Sequence, residues 1–121
     1  MAEVITSTSP DIEAGNKCVT ESASGAVGIT RGLVIIIATS AVQLTLAAPT
    51  AGQDDGKELE IVSTTAYQHT IVTPSNGING AYKTFTFSGV MGASVRFRAY
   101  AGVWWTGVTS GPSSPPEGGL S

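Results

Sequence analysis

Short apolar runs that alternate with polar residues recur along this chain, and turn residues separate them. "VQLTLA" places Val42, Leu44 and Leu46 on one face of an extended strand, and "KTFTFS" repeats the pattern with Phe85 and Phe87. A period of two residues is typical of a strand with one face in a core and the other in water. These runs predict an all-β chain with a single core.

Candidate strands are spaced regularly, and no stretch has the composition of a long helix, because Thr, Val, Ile, Ser and Gly are spread throughout. In 121 residues this spacing predicts one compact domain of about seven to eight short strands. A sandwich, a jelly roll or a barrel is expected rather than a parallel α/β sheet. The candidate strands are 26–30, 32–39, 41–47, 57–63, 67–73, 83–88, 93–100 and 102–108.

The two ends of the chain differ from this middle part, so three segments are predicted: an N-terminal arm over residues 1–24, a β-domain over 25–108 and a flexible C-terminal tail over 109–121. The tail sequence is rich in Pro, Gly and Ser. The N-terminal segment is either disordered or an arm that becomes ordered on a partner. The isolated apolar residues that such an arm would use are Val4, Ile5, Ile12 and Val19.

The run "LVIIIA" does not alternate, which predicts a strand with both faces removed from water. A second sheet or another copy of the chain could cover the second face of this strand. A subunit contact is favoured, because the chain is apolar for its size, with a mean hydropathy of +0.19. The predicted interface residues are Leu33, Val34, Ile35, Ile36 and Ile37.

A second contact surface is predicted near the end of the β-domain. In "ASVRFRAY", the side chains of Arg96, Arg98 and Tyr100 lie on the face opposite Val95, Phe97 and Ala99. Trp104 and Trp105 are adjacent on the next strand and therefore point to opposite sides. One of them is expected in the core and the other in an interface or in solvent. The candidate surface consists of Arg96, Arg98, Tyr100, Trp104 and Trp105.

Composition excludes several classes of partner. Charged residues make up 12% of the chain and the formal net charge is −3, so no basic surface is expected to hold nucleic acid. The N-terminal sequence lacks the basic and apolar parts of a secretory signal, and no apolar run is long enough to span a membrane. The chain is therefore expected to be soluble and made in the cytoplasm. Its single cysteine, Cys18, cannot form an internal disulfide.

No pattern in the sequence predicts catalysis, a metal site or a cofactor. Asp54 and Asp55 precede Gly56 between two apolar runs, which predicts a turn in which the carboxylates accept local backbone hydrogen bonds. A calcium site is the alternative, but the acidic residues lack the ligand spacing of a calcium loop. His69 has no second histidine beside it and is interpreted as a solvated or cross-strand residue. An enzyme is not predicted.

Three stretches together resemble a β-module of tailed-bacteriophage structural proteins. They are "VQLTLAAPTAGQDDGKELEIVSTTAYQHTIVT", "GINGAYKTFTFSG" and "GASVRFRAYAGVWWTG". The shared pattern is an apolar strand ending in L-x-A-P, a Gly/Asp turn, a G-K-x-L-x-I strand, an H-T-(I/V) strand, a Gly-Asn turn and a closing strand with Trp or Tyr. The resemblance covers residues 32–107 and includes head decoration (cement) proteins, head fibres and parts of tail fibres.

This resemblance implies a non-enzymatic virion protein, commonly a homotrimer. The chain lacks the repeats and long shaft of the fibre members, which favours a decoration protein on the outer surface of a phage head. The implied partners are the major capsid protein and further copies of the chain, and the implied location is the capsid surface after synthesis in the host cytoplasm. The alternative is a fibre, tail or receptor-binding module that uses an exposed tryptophan.

Overall fold

The computed structural model of the chain describes residues 17–29, 31–107 and 118–121. Within these ranges the chain has no helix and forms two five-stranded sheets, which confirms the all-β prediction. The two sheets do not close into a barrel, so that predicted option is wrong. The strands are β1 (Cys18–Glu21), β2 (Gly25–Ala26), β3 (Gly32–Ile36), β4 (Gln43–Thr45), β5 (Glu58–Ser63), β6 (Thr70–Val72), β7 (Thr84–Phe87), β8 (Ser94–Tyr100), β9 (Val103–Trp105) and β10 (Gly118–Leu120).

Both sheets are mixed, and they share one pattern of strand directions. Sheet 1 has the order β9-β8-β5-β3-β1, and sheet 2 has the order β10-β7-β6-β4-β2. In each sheet the first three strands along the chain are parallel, and the later strands are antiparallel to their neighbours. The chain passes from one sheet to the other between β1 and β6, so every second strand runs in the same direction. The parallel pairs follow from this winding, for which the alternation within a single strand gives no signal.

The inner faces of both sheets form one hydrophobic core. Val34 and Ile36 from sheet 1 meet Leu44, Phe85 and Phe87 from sheet 2, and all five side chains are inaccessible to solvent. Phe85 and Phe87 pack edge to face with ring centroids 5.0 Å apart, a favourable aromatic geometry. The alternation predicted for "VQLTLA", "KTFTFS" and "ASVRFRAY" is confirmed, because the predicted inward residues of each run are buried.

The predicted ends of the β-domain differ from the structure. β1 lies within the predicted arm and pairs with β3 in parallel, and its Val19 packs against the core. β10 lies within the predicted tail, pairs with β7 and buries Leu120 in the core. Both strands are held largely by backbone hydrogen bonds, for which hydrophobic periodicity gives no signal. The other arm residues, Val4, Ile5 and Ile12, lie outside the described residues.

The β8–β9 hairpin turns on two residues with positive φ. Ala101 has φ 54° and Gly102 has φ 80°, between the paired residues Tyr100 and Val103. This two-residue turn favours Asn-Gly, because an alanine side chain is strained in the left-handed region. The loop before β5, residues 50–57, is called the acidic loop. The Ala101 N–H donates to Asp55 Oδ1 at 3.0 Å, and this hydrogen bond connects the hairpin to the acidic loop.

Replacing Ala101 with asparagine is expected to stabilise the protein by about 0.5–1 kcal/mol, because asparagine tolerates positive φ and keeps the backbone donor to Asp55. The free energy of unfolding from urea titration measures the effect. Ala101→Val serves as the opposite control, since a β-branched residue is disfavoured at positive φ. A less stable asparagine variant would contradict the assignment of strain to this turn.

Candidate assembly interface

An aliphatic stripe crosses the outer face of sheet 1. We give this name to Leu33, Ile35 and Ile37 from β3 and the residue after it, together with Val62 from β5. Ile35 lies directly beside Val62 in the parallel register. Leu33, Ile35 and Val62 are half-buried, whereas Ile37 is 43% exposed. Four aliphatic side chains therefore meet solvent on one side of a small domain.

The structure corrects the predicted subunit contact over residues 33–37. Val34 and Ile36 have no exposed surface and belong to the core of their own chain. Only Leu33, Ile35 and Ile37 point outward. The run lacks alternation because both rows are aliphatic, and the single chain covers just one of them. The outward row remains accessible to a partner.

An Arg–Glu ladder borders the aliphatic stripe. On neighbouring strands, Arg98 Nε lies 2.9 Å from Glu58 Oε2, and Arg96 Nη2 lies 3.6 Å from Glu60 Oε1. The register places each arginine directly opposite its glutamate, which is the geometry of stabilising cross-strand pairs. Because the side chains are exposed, each pair contributes less than about 1 kcal/mol to folding. The two pairs balance opposite charges beside the stripe.

Aromatic residues complete this face at its β9 edge. Trp105 is 41% exposed, lies beside Arg98 in the register, and donates its indole N–H to the carbonyl oxygen of Tyr100 at 3.1 Å. A depression of about 490 Å³ runs alongside and is lined in part by Arg96, Arg98 and Trp105. Arg96, Arg98, Tyr100 and Trp105 therefore share one exposed face, and their role as a second contact surface stays a prediction.

Trp104 does not belong to that surface. Its side chain has no exposed area, its ring centroid lies 6.2 Å from that of Phe97, and its indole N–H donates to the carbonyl oxygen of Ala47 at 2.9 Å. The expectation that one tryptophan closes the core and the other faces outward is confirmed. The inclusion of Trp104 among the contact residues is wrong, because the strand alternation directs it inward.

The outer face of sheet 2 has a different chemistry. The residues that point outward in the register are mainly threonines with one glutamine, and Val72 is the half-buried aliphatic member. Thr70 lies opposite Thr86, and Thr45 lies beside Val72. Threonine suits a solvated β surface, since the β-branched side chain favours the strand and the hydroxyl bonds water. The aliphatic stripe therefore distinguishes sheet 1 as the face suited to assembly.

The adjacent carboxylates of the acidic loop lie in a turn and accept local backbone hydrogen bonds, as predicted. Asp54 Oδ2 accepts the Thr50 N–H at 2.7 Å, and Asp54 Oδ1 lies 2.6 Å from Lys57 Nζ. Asp55 Oδ1 accepts the Gly52 N–H as well as that of Ala101. The hydrogen bond from Lys57 and that from Thr50 lower the pKa of Asp54 below its ordinary value. Both carboxylates are committed to local structure.

His69 is buried, so the solvated position considered from the sequence is wrong, whereas the cross-strand position agrees with its bond to Val42 on the neighbouring chain segment. Its Nδ1 accepts the Val42 N–H at 3.2 Å, so the ring proton lies on Nε2, which is 3.0 Å from Thr65 Oγ1. The imidazole therefore connects the segment before β4 to the segment before β6. Burial lowers the pKa of His69, because the charged ring would lose its hydration.

We expect the protein to lose stability as the pH falls from 7.5 to 5.5. In the unfolded chain the histidine has its ordinary pKa of 6.5, whereas the folded state holds it neutral. The unfolded state therefore binds more protons in this range, and each pH unit between the two pKa values costs up to about 1.4 kcal/mol. Urea titration at several pH values measures the slope. His69→Gln should be less stable but should lose most of this pH dependence, and an unchanged slope in that variant would contradict the assignment.

Searches for other kinds of site and for relatives add three findings. Among residues 17–29, 31–107 and 118–121, no three His, Cys, Asp or Glu side chains are grouped so that they could hold a metal ion. The same part of the chain contains no helix long and apolar enough to cross a membrane. Comparison with protein-family models, curated proteins and solved structures gave no match.

Proposed function

We propose that this chain is a structural virion protein, a decoration protein that binds the outer surface of a phage head and stabilises it. The observation that carries the proposal is the aliphatic stripe of Leu33, Ile35, Ile37 and Val62 on the outer face of sheet 1. Apolar side chains exposed together on a small domain are typical of a protein interface. The resemblance of residues 32–107 to the phage β-module supplies the biological setting.

The assembly that we propose is a homotrimer in which the aliphatic stripe of each copy contacts a neighbouring copy. The two sheets enclosing one core form a sandwich in this proposal. The Arg–Glu ladder beside the stripe would form a polar rim, since both ion pairs are already made within one chain. Such a rim adds specificity of orientation without burying an unpaired charge.

The major capsid protein is the proposed second partner. The arm proposal is retained for Val4, Ile5 and Ile12, because Val19 belongs to β1 and packs on the core. The engaged ring nitrogens of His69 and the local bonds of Asp54 and Asp55 favour a structural role over a catalytic one. Binding a repeated lattice requires shape complementarity rather than reactive groups.

A fibre, tail or receptor-binding module is the second candidate, and one observation favours it. The exposed Trp105 lines the depression of about 490 Å³ together with Arg96 and Arg98, and its indole N–H donates to the carbonyl oxygen of the exposed Tyr100. An aromatic ring next to guanidinium groups can stack on a sugar and bind its hydroxyl or carboxylate groups. Binding to a glycan array, lost in Trp105→Ser, would support this candidate over decoration.

Co-sedimentation with heads tests the proposed function. Undecorated heads are assembled from the major capsid protein of the same virus and mixed with the purified chain. We expect saturable binding at a fixed number of copies per head, and heads that resist a higher temperature. A protein that remains in the supernatant at every concentration would contradict the proposal.

A further inference from the structure

Three exposed apolar side chains lie at one end of the two sheets. Tyr67 is 39% exposed, Val90 is 53% exposed and Met91 is 69% exposed. Tyr67 lies in the segment between β5 and β6, and Val90 and Met91 lie between β7 and β8. Both segments cross from one sheet to the other at the end where β5 finishes and β8 begins. We call these three residues the apolar tip.

The backbone that carries the apolar tip is well anchored. The Gly92 N–H donates to the Ser63 carbonyl at 2.7 Å, and the Ala93 N–H donates to the Val90 carbonyl at 3.1 Å. Gly89 has φ 93°, and a Cβ there would lie 3.4 Å from Gln68 Cγ, so the two segments touch. The residues of the tip therefore lie in hydrogen-bonded turns. Little backbone entropy would be lost when the tip binds a partner.

The segments that cross between the sheets at the end with the tip contain no charged residue. Residues 37–42, 64–69 and 88–93 contain no Lys, Arg, Asp or Glu, and Glu21 ends β1 at the far edge of sheet 1. The crossing segments at the opposite end contain Asp54, Asp55, Lys57 and Lys83. Charge depletion around exposed apolar side chains is typical of the centre of a protein interface.

We propose that the apolar tip inserts into an uncharged apolar groove of the capsid shell, with Met91 as its most exposed contact. This inference rests on the proposed function and assigns a capsid-facing end to the domain. Methionine is flexible and polarisable, so it fits a shallow, irregular groove. The aliphatic stripe on sheet 1 then remains available for contacts between copies.

The size and charge of the tip favour a lattice partner over two others. Its exposed area is on the order of 350 Å², well below the roughly 800 Å² per partner of a stable dimer. A small contact is sufficient on a lattice, because each oligomer presents several tips at once. A membrane is disfavoured, because the crossing segments at this end have no Lys or Arg to attract anionic lipid.

The test uses the full chain with Val90→Ser and Met91→Ser combined, and a matched double control, Ala51→Ser with Ala81→Ser, at two exposed positions of the opposite end. Co-sedimentation with heads measures affinity, light scattering measures the mass of the free protein, and thermal unfolding checks the fold. We expect the double variant to bind heads about 100-fold more weakly, with mass and melting temperature unchanged, because the loss recurs in every subunit. The control should bind as the unchanged protein does.

The outcomes separate this inference from the proposed function. Normal head binding by the double variant would overturn the tip and leave decoration intact. A reduced mass of the free double variant would show that the tip contacts a second copy, which would also overturn the inference. Failure of the unchanged protein to bind heads would contradict decoration itself, and the tip proposal would fall with it.

Discussion

Replacing Ile35 with aspartate is expected to convert the proposed homo-oligomer into a folded monomer. Ile35 lies at the centre of the aliphatic stripe and points away from the core between two buried neighbours, Val34 and Ile36. In the separate chain the new carboxylate can stay hydrated. In the assembly it would be buried against apolar side chains without a partner, which costs several kcal/mol per contact. Association should weaken by at least about 100-fold.

Light scattering coupled to size exclusion measures this effect at micromolar concentration. The unchanged chain should elute as an oligomer, with a trimer at three times the subunit mass of 12.3 kDa. Thr45→Asp is the matched control, because Thr45 points outward on β4, which is the second strand from the edge of sheet 2, as β3 is in sheet 1. Both substitutions disfavour a strand similarly. Equal masses for the two variants would contradict the assignment of the interface to sheet 1.

Trp104→Ala is expected to destabilise the domain by about 3–5 kcal/mol. The indole has no exposed surface, packs beside Phe97 and donates to the Ala47 carbonyl, so its removal leaves a cavity and breaks that hydrogen bond. The backbone of Trp104 also donates to the Gly77 carbonyl, which links β9 to the segment before β7. A typical domain has only about 5–15 kcal/mol of stability, so much of the margin would be lost.

The neighbouring tryptophan provides the control for that prediction. Trp105 is 41% exposed on the outer face, so Trp105→Ala should cost less than about 1 kcal/mol in the isolated chain. Urea titration followed by circular dichroism measures both variants without depending on tryptophan fluorescence. Similar losses of stability in the two variants would contradict the opposite orientations of these side chains.

The parts of the fold that alternate could be predicted from the sequence. Phe85 and Phe87 alternate with threonine, so their burial follows from the pleat of a strand, and the same argument separates Trp104 from Trp105. The turn in the acidic loop could be predicted as well, because Asp-Gly next to an apolar run is typical of a turn. In each case the signal lies within a few consecutive residues.

The remaining features depend on contacts between distant segments. β10 contributes only Leu120 to the core and is held by pairing with β7, so its Gly-rich sequence resembles a tail. The parallel order arises from winding between two sheets, which no single strand encodes. His69 is buried where it forms hydrogen bonds with Val42 and Thr65. The segments that carry these partners meet only in the folded chain. The apolar tip gives no periodic signal, because Val90 and Met91 are two adjacent apolar residues in a turn between Gly89 and Gly92.

A cryo-EM reconstruction of heads incubated with the purified chain tests decoration most directly. The proposal predicts added density at repeated positions on the outer surface of the shell, into which the β-domain fits with sheet 1 of neighbouring copies in contact. The apolar tip, with Met91 at its end, should point toward the shell. A head surface that is unchanged at saturating protein concentration would contradict the account.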